Sequence, residues 1–158
     1  MKKKKVMFIS SSGGHFNELL QLKPLFDKYD YHIVTEKIPS KNSLKETYPH
    51  RINFLIYGSR YHFITYPFKL FLNCWISLFL YIKVRPKVII TTGSHTAGPM
   101  CCLGKIFGSK IIFIESYANV KTKTLTGKVI YKFADLFLVQ WPNMLRLYPK
   151  AKYVGRIF

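Results

Sequence analysis

The chain has 158 residues, 49% of them hydrophobic, and its 25 Lys and Arg stand against seven Asp and Glu for a net charge of +18. That length suits one domain, and that much apolar material excludes a chain disordered over most of its length. So large a positive charge is foreign to a small enzyme of neutral metabolites and implies an anionic partner: nucleic acid, an acidic membrane surface or a phosphorylated ligand.

Val6 to Ser10 reads as the first strand, behind four lysines too closely followed by polar residues to form a signal peptide. A helix is predicted over about 15–28, and "YHIVT" (31–35) is the second strand. The lysine-rich segment 36–51 reads as a loop or short helix, before the strand "INFLIY" (52–57). Residues 66–84 form a helix apolar nearly all round, with Lys69, Asn73 and Ser77 as one narrow polar stripe. Pro67 starts it and Pro86 prevents its continuation. Roughly 25 Å long, it is near the lower limit for crossing a bilayer. Because it joins two strands of one sheet, it is either a core crossover or an interfacial helix; the charge favours the interface. In the second case Phe68, Lys69, Phe71, Leu72, Trp75, Phe79, Lys83 and Arg85 are the expected membrane contacts, with Arg60 and Lys87 flanking them. Strands follow at "KVIITT" (87–92), "KIIFIE" (110–115) and "DLFLVQ" (135–140), separated by helices at about 96–107 and 124–133. This alternation of continuous apolar runs with helices predicts an α/β fold: a Rossmann-like, doubly wound, mostly parallel sheet in one domain over 1–158.

Doubly wound sheets bind ligands beyond the carboxyl ends of their strands, and three loops fall there. In "SSSGGH" (10–15), Ser12, Gly13 and Gly14 form a turn whose backbone can approach a diphosphate, or simply a tight turn with serine caps. His15 opens the next helix, whose positive end disfavours the imidazolium; it is a candidate base, or a capping residue. In "TTGSHTAGPM" (91–100), Gly93, Ser94, His95 and Thr96 are a second candidate anion site, His95 being equally readable as a solvated loop residue. Glu115 ends an apolar strand and is a second candidate base or hydroxyl ligand, or else a carboxylate satisfying nearby N–H groups. "TLTGK" (124–128) lacks the first glycine and the Ser or Thr of a phosphate loop, which excludes a nucleoside triphosphatase. Cys74, Cys101 and Cys102 offer neither a disulfide framework nor metal-ligand spacing, so a reducing compartment and no metal are expected.

The segments "SSGGHFNELLQL", "TTGSHTAGPMC", "FIESYANVKTKTLTGKVIYKFADLFLVQWP" and "AKYVGRIF", in that order, resemble the asparagine-linked glycosylation protein 14 family and its bacterial capsule and exopolysaccharide counterparts. The likeness covers nearly the whole chain and is most specific in "LTGKVIYKFADLFLVQWP". It implies the N-terminal-type, acceptor-side half of a split GT-B glycosyltransferase. A donor-binding partner subunit would carry the UDP-sugar, so this chain would bind no cofactor. The acceptor would be a sugar on a polyprenyl diphosphate, and the setting the cytoplasmic face of a membrane with anionic lipid. The tail Val154, Gly155, Arg156, Ile157 and Phe158 would dock into the partner. Two departures stand out. Relatives often have a membrane-spanning segment where this chain has Met1 to Lys5, which leaves attachment to helix 66–84, and they often have Arg in place of Asn119. A pure membrane adaptor is the alternative function. Nucleic-acid binding is not expected, since no basic recognition helix is present and the aromatics lie in apolar strands and helix 66–84.

Overall fold

A computed structural model describes residues 3–38, 43–58 and 64–158. Arg60 and His62 lie outside them. Seven strands form one parallel sheet in the order β3-β2-β1-β4-β5-β6-β7. They are β1 (Lys5–Ser10), β2 (Asp30–Glu36), β3 (Ile52–Leu55), β4 (Val88–Gly93), β5 (Lys110–Ile114), β6 (Leu136–Val139) and β7 (Lys152–Tyr153). The helices are α1 (Gly14–Leu20), α2 (Leu44–Thr47), α3 (Thr65–Val84), α4 (Ala97–Ile106) and α5 (Leu125–Ile130).

The alternation of side chains along β1 builds two cores. Val6 and Phe8 pack with Phe16, Leu19, Leu22 and Phe26 on the α1 face. Met7 and Ile9 join Leu80, Met100, Cys101 and Ile130 on the face covered by α3, α4 and α5. Burial on both faces is why the strands read as continuous apolar runs.

Three elements differ from expectation. The first helix stops at Leu20, and Lys23–Lys28 is a 3-10 turn with Pro24 at its start, because proline cannot supply the N–H that a continuing α-helix needs. The fifth helix is shorter than expected, six residues rather than ten. The sequence reading had no β7, a two-residue edge strand too short to carry a periodicity.

Helix α3 is inverted relative to an ordinary surface helix. The polar stripe faces inward: Asn73 is 1% exposed and Ser77 fully buried. Asn73 grips the chain just past β3 at two points, its Oδ1 accepting from Ile56 N–H at 2.8 Å and its Nδ2 donating to Ile56 C=O at 2.9 Å. The apolar face points out, with Phe68 at 65%, Trp75 at 60% and Phe79 at 68% exposed, and Phe71 and Ile82 beside them. Lys83 and Arg85 are exposed at its end, whereas Lys69 and Leu72 are half-buried on its flank. Among the described residues, α3 is the one helix long and apolar enough to cross a bilayer by length and composition.

Candidate functional site

Strand order reverses at β1 and β4, so the connections leaving their carboxyl ends diverge and open a crevice. The β1–β4 register slips between Ile9 and Ser10, and Ser11 N–H reaches Gly93 C=O at 3.0 Å, which splays the two loops apart. A cleft of about 650 Å³ occupies this place. Ser12, Gly13, His15, Gly93, Ser94, His95 and Glu115 line it, so residues from all three predicted loops meet there. Gly14 and Thr96 stand behind the lining as the residues that start α1 and precede α4. Among the described residues no Lys or Arg lines the cleft, although the chain carries 25 of them.

Gly13 has φ +81°, a conformation that side chains other than glycine's rarely accept, and open space where its Cβ would be. The N–H groups of Gly13, Gly14 and His15 make no hydrogen bond among the described residues, while the next two N–H groups, of Phe16 and Asn17, turn back to Gly13 C=O. His15 is held by a reciprocal pair of bonds to β4: its Nδ1 donates to Thr92 C=O at 2.9 Å, and Thr92 Oγ1 donates to His15 C=O at 2.7 Å. A carbonyl partner requires a proton on Nδ1, so in the neutral ring the lone pair lies on Nε2. Burial alone would lower the pKa of this imidazole. The Glu18 carboxylate, 3.6 Å from Nδ1, the Thr92 carbonyl and the charge of Glu115 outweigh burial and raise it above the ordinary histidine value. The sequence argument expected the opposite, from the helix dipole. A seven-residue helix has little dipole to offer, and Glu18 sits one turn away.

Ser12, Ser94 and His95 of the two glycine loops are engaged within the protein, whereas Ser10 Oγ and Thr96 Oγ1 are buried without a hydrogen-bond partner among the described residues. Ser12 donates both its N–H and its hydroxyl to Glu36 Oε2, each at 2.8 Å. His95 Nε2 donates to Gly58 C=O at 2.9 Å, so its Nδ1 takes the proton of Ser94 Oγ, 2.9 Å away. The Tyr66 ring packs edge-on against His95 at 5.3 Å, fixing the imidazole from the start of α3.

Glu115 is buried on the far wall. Tyr148 Oη donates to its Oε2 at 3.0 Å, Ser116 N–H to its Oε1 at 3.2 Å, and Thr124 Oγ1 lies within 3.3 Å of both oxygens. Thr124 in turn caps α5 by accepting from Gly127 N–H at 3.0 Å. Burial raises the Glu115 pKa despite these donors, and burial together with the Glu115 charge pushes the Tyr148 phenol well above its usual range. Gly127 leaves no room here: a Cβ on it would lie 2.6 Å from Thr124 Oγ1 and from Tyr148 Oη. Asn119 bonds Thr122 C=O and also lies close enough to Glu115 to favour its charged form.

The residue that the sequence reading missed is Glu36, at the carboxyl end of β2 and 1% exposed. Its signal was present, since a carboxylate closes the carboxyl end of the strand there just as Glu115 does after β5.

The C-terminal tail lies against its own domain. Ile157 N–H donates to Gln140 Oε1 at 2.9 Å, Ile157 and Phe158 pack on the α1-face core, and the Arg156 guanidinium stacks 4.7 Å from the Trp141 ring. Val154 remains exposed.

Comparison with known proteins gives this geometry a context. The chain superposes on MurG from Acinetobacter baumannii with a TM-score of 0.74 at 17% identity, covering 97% of this chain and 45% of that one. UDP-N-acetylglucosamine 2-epimerase from Rickettsia bellii matches with the same TM-score at 13% identity and again 45% of its length. The chain therefore spans about half of these folds, as one half of a GT-B scaffold does. In sequence it is 30% identical to the human UDP-N-acetylglucosamine transferase subunit ALG14 over 96% of this chain and 82% of that one. It is 31% identical to the Schizosaccharomyces pombe subunit of the same name, with the same coverage. The family model described as "Oligosaccharide biosynthesis protein Alg14 like" matches residues 6–157. With one family model running from the first strand to the tail, and relatives 30% and 31% identical along 96% of its length, the chain belongs to the Alg14-like family.

Proposed function

We propose that the chain is the acceptor-binding, membrane-apposed subunit of a two-component UDP-N-acetylglucosamine transferase, inactive without a donor-binding partner. The observation that carries this reading is the isolated half-scaffold with a cleft at its strand-order switch, edged by a histidine whose ring is oriented through Nδ1 and leaves Nε2 free of hydrogen bonds among the described residues. The names of the relatives supply the donor sugar. A capsular or exopolysaccharide setting, with a hexosyl donor, is the less supported version.

The reaction is an inverting transfer. The partner holds the UDP-sugar across the cleft, and an acceptor hydroxyl attacks C1 of that sugar. The new C–O bond forms as the bond from C1 to UDP breaks, and the hydroxyl proton passes to His15 Nε2. Thr92 and Glu18 hold the ring and stabilise the imidazolium. The free N–H groups of Gly13, Gly14 and His15 are placed to receive the acceptor diphosphate at the cleft's edge. Glu115, with its oxygens taken by Tyr148, Thr124 and Ser116, serves the fold of the α5 wall more directly than it serves the proton. No group of three or more His, Cys, Asp or Glu among the described residues could hold a metal, so the residues offer no ligand set for one.

The outward face of α3 is the membrane contact in this reading. Phe68, Phe71, Trp75, Phe79 and Ile82 enter the interface while Lys83 and Arg85 meet lipid phosphates. Each basic residue near an anionic leaflet contributes about 1 kcal/mol. The tail 154–158 docks into the partner after leaving Gln140 and Trp141.

Co-expression with the donor-binding subunit, followed by sugar transfer to a polyprenyl-diphosphate-linked acceptor, tests the proposal. Wild type is active only with the partner, and His15→Ala loses roughly 10²- to 10⁴-fold in rate. Transfer by this chain alone would refute the split enzyme. An unimpaired His15→Ala would remove the base role of His15; changes at both His15 and Glu115 without effect, with tail deletion still harmful, would make the chain an adaptor; and a complex that survives deletion of residues 155–158 would remove the docking role of the tail.

A further inference from the structure

Glu36 is the one strand-end carboxylate in the cleft with an idle oxygen. Its Oε2 takes two hydrogen bonds from Ser12, but its Oε1 is buried and has no hydrogen-bond partner among the described residues. His95 Nε2 lies 3.9 Å from it, beyond hydrogen-bond distance, and is already aimed at Gly58 C=O. A buried carboxylate oxygen without a partner is costly, so it belongs with a ligand that donates to it.

The surroundings say what kind of ligand. A carboxylate repels a phosphate, and no Lys or Arg lines the cleft among the described residues to offset that repulsion. Ser12, expected from the sequence to grip a diphosphate, has spent both donors in holding Glu36. The walls also carry the exposed ring of Tyr57, an apolar face suited to the C–H side of a pyranose, and the hydroxyl of Thr126. We infer that Glu36 is the sugar-recognition anchor of the cleft: Oε1 accepts a hydrogen bond from a ring hydroxyl of a neutral sugar, and the anionic part of the same ligand lies at the Gly13–His15 edge. This rests on the acceptor-binding reading for the sugar's place in the reaction, and on the idle oxygen alone for the sugar site itself.

The test uses the full-length, 15N-labelled chain and three probes: methyl N-acetyl-β-glucosaminide, inorganic pyrophosphate and methylamine. The glycoside shifts the amide resonances of Ser12, Glu36 and Lys37 at millimolar concentration. Pyrophosphate shifts those of Gly13 to His15 instead. Glu36→Gln, which keeps an oxygen for Ser12, weakens glycoside binding about tenfold or more by removing a charge-assisted acceptor. The same substitution leaves pyrophosphate affinity unchanged. Glu36→Asp keeps the charge but withdraws the oxygen, and weakens the glycoside likewise. The inference is overturned if the glycoside leaves the Glu36 region unmoved, if Glu36→Gln binds it as well as wild type, or if pyrophosphate or methylamine takes over those resonances. Glycoside binding at Glu36 in a chain that supports no transfer with any partner would sink the glycosyltransferase reading and leave this site standing.

Discussion

Replacing Asn73 by Leu asks whether the polar stripe of α3 is what fixes this helix to the sheet. The substitution is apolar, helix-compatible and close in volume, so a composition argument expects it to be harmless or stabilising in a helix already so apolar. The structure demands the reverse. Two hydrogen bonds to Ile56 vanish, each contributing a net 0.5–1.5 kcal/mol or so, and the Ile56 N–H and C=O then stand unpaired beside a buried leucine at about 1–3 kcal/mol each where water is excluded. Ile56 is itself half-buried, so part of that penalty is relieved by solvent, and the total settles near 2–4 kcal/mol. For a domain of this size that is a fall in Tm of roughly 4–16 °C by calorimetry or circular dichroism. The outward face supplies the matched control. Phe79→Ser removes an apolar side chain already 68% exposed, so the Tm stays within about 2 °C, while partitioning onto acidic vesicles weakens roughly 5- to 30-fold. A Tm lowered by less than about 2 °C in Asn73→Leu would refute the two-point grip. Destabilisation by Phe79→Ser in the absence of lipid would show that α3 does not face outward.

Three further outcomes follow from the site and its supports. Because Glu18 raises the His15 pKa, the basic form of the ring is available only above the ordinary histidine value, and the transfer rate rises with pH through that raised pKa. Glu18→Gln moves this acidic limb to lower pH, and an unmoved limb would separate His15 from proton transfer. Gly127→Ala drives a methyl group into Thr124, Tyr148 and Glu115 and costs about 1–3 kcal/mol of stability, measured by urea denaturation; a neutral result would mean that this hydrogen-bonded cluster gives way freely. Burial alone would raise the pKa of Asp135, but the Ile111 N–H and the ammoniums of Lys105 and Lys110 hold it at about 2. A depressed carboxyl pKa stabilises the fold above its unfolded value near 4 and loses that effect as pH falls toward 2, so Asp135→Asn lowers stability at neutral pH and converges with wild type in acid. Parallel stability curves from neutrality to acid would contradict this linkage.

Much of the architecture was legible because its causes are local. Continuous apolar runs such as Val6–Ile9 and Val88–Ile90 can be strands only if both faces are covered, and that requirement alone predicts the doubly wound sheet. Proline marked both ends of α3 correctly, yet Pro24 was passed over inside the helix expected at 15–28. What stayed hidden depends on contacts distant in sequence. The narrow stripe of Lys69, Asn73 and Ser77 was visible but not what it faces, because nothing in residues 66–84 reveals that Ile56 offers Asn73 both a donor and an acceptor. The loops at 10–15, 91–96 and 115 meet at one end of the sheet as expected, but in the sequence their serines and histidines read equally as ligands or as caps and loop residues. Only the packed fold shows Ser12 committed to Glu36 and His95 to Gly58. Glu36 escaped notice because it borders the lysine-rich segment, where a carboxylate looks like one more surface charge.

An aromatic ridge on so cationic a body also governs how the molecule behaves alone in water. Two copies could shelter their ridges against each other, but each brings a charge of +18 to the encounter. In dilute buffer that mutual repulsion reaches about 30 Å and keeps the copies apart, whereas in molar salt it shrinks to about 3 Å and leaves the ridges free to meet. Ionic strength thus sets the balance between dispersed protein and self-association, and an acidic apolar surface such as an anionic bilayer would shelter the ridge while cancelling the charge instead of doubling it.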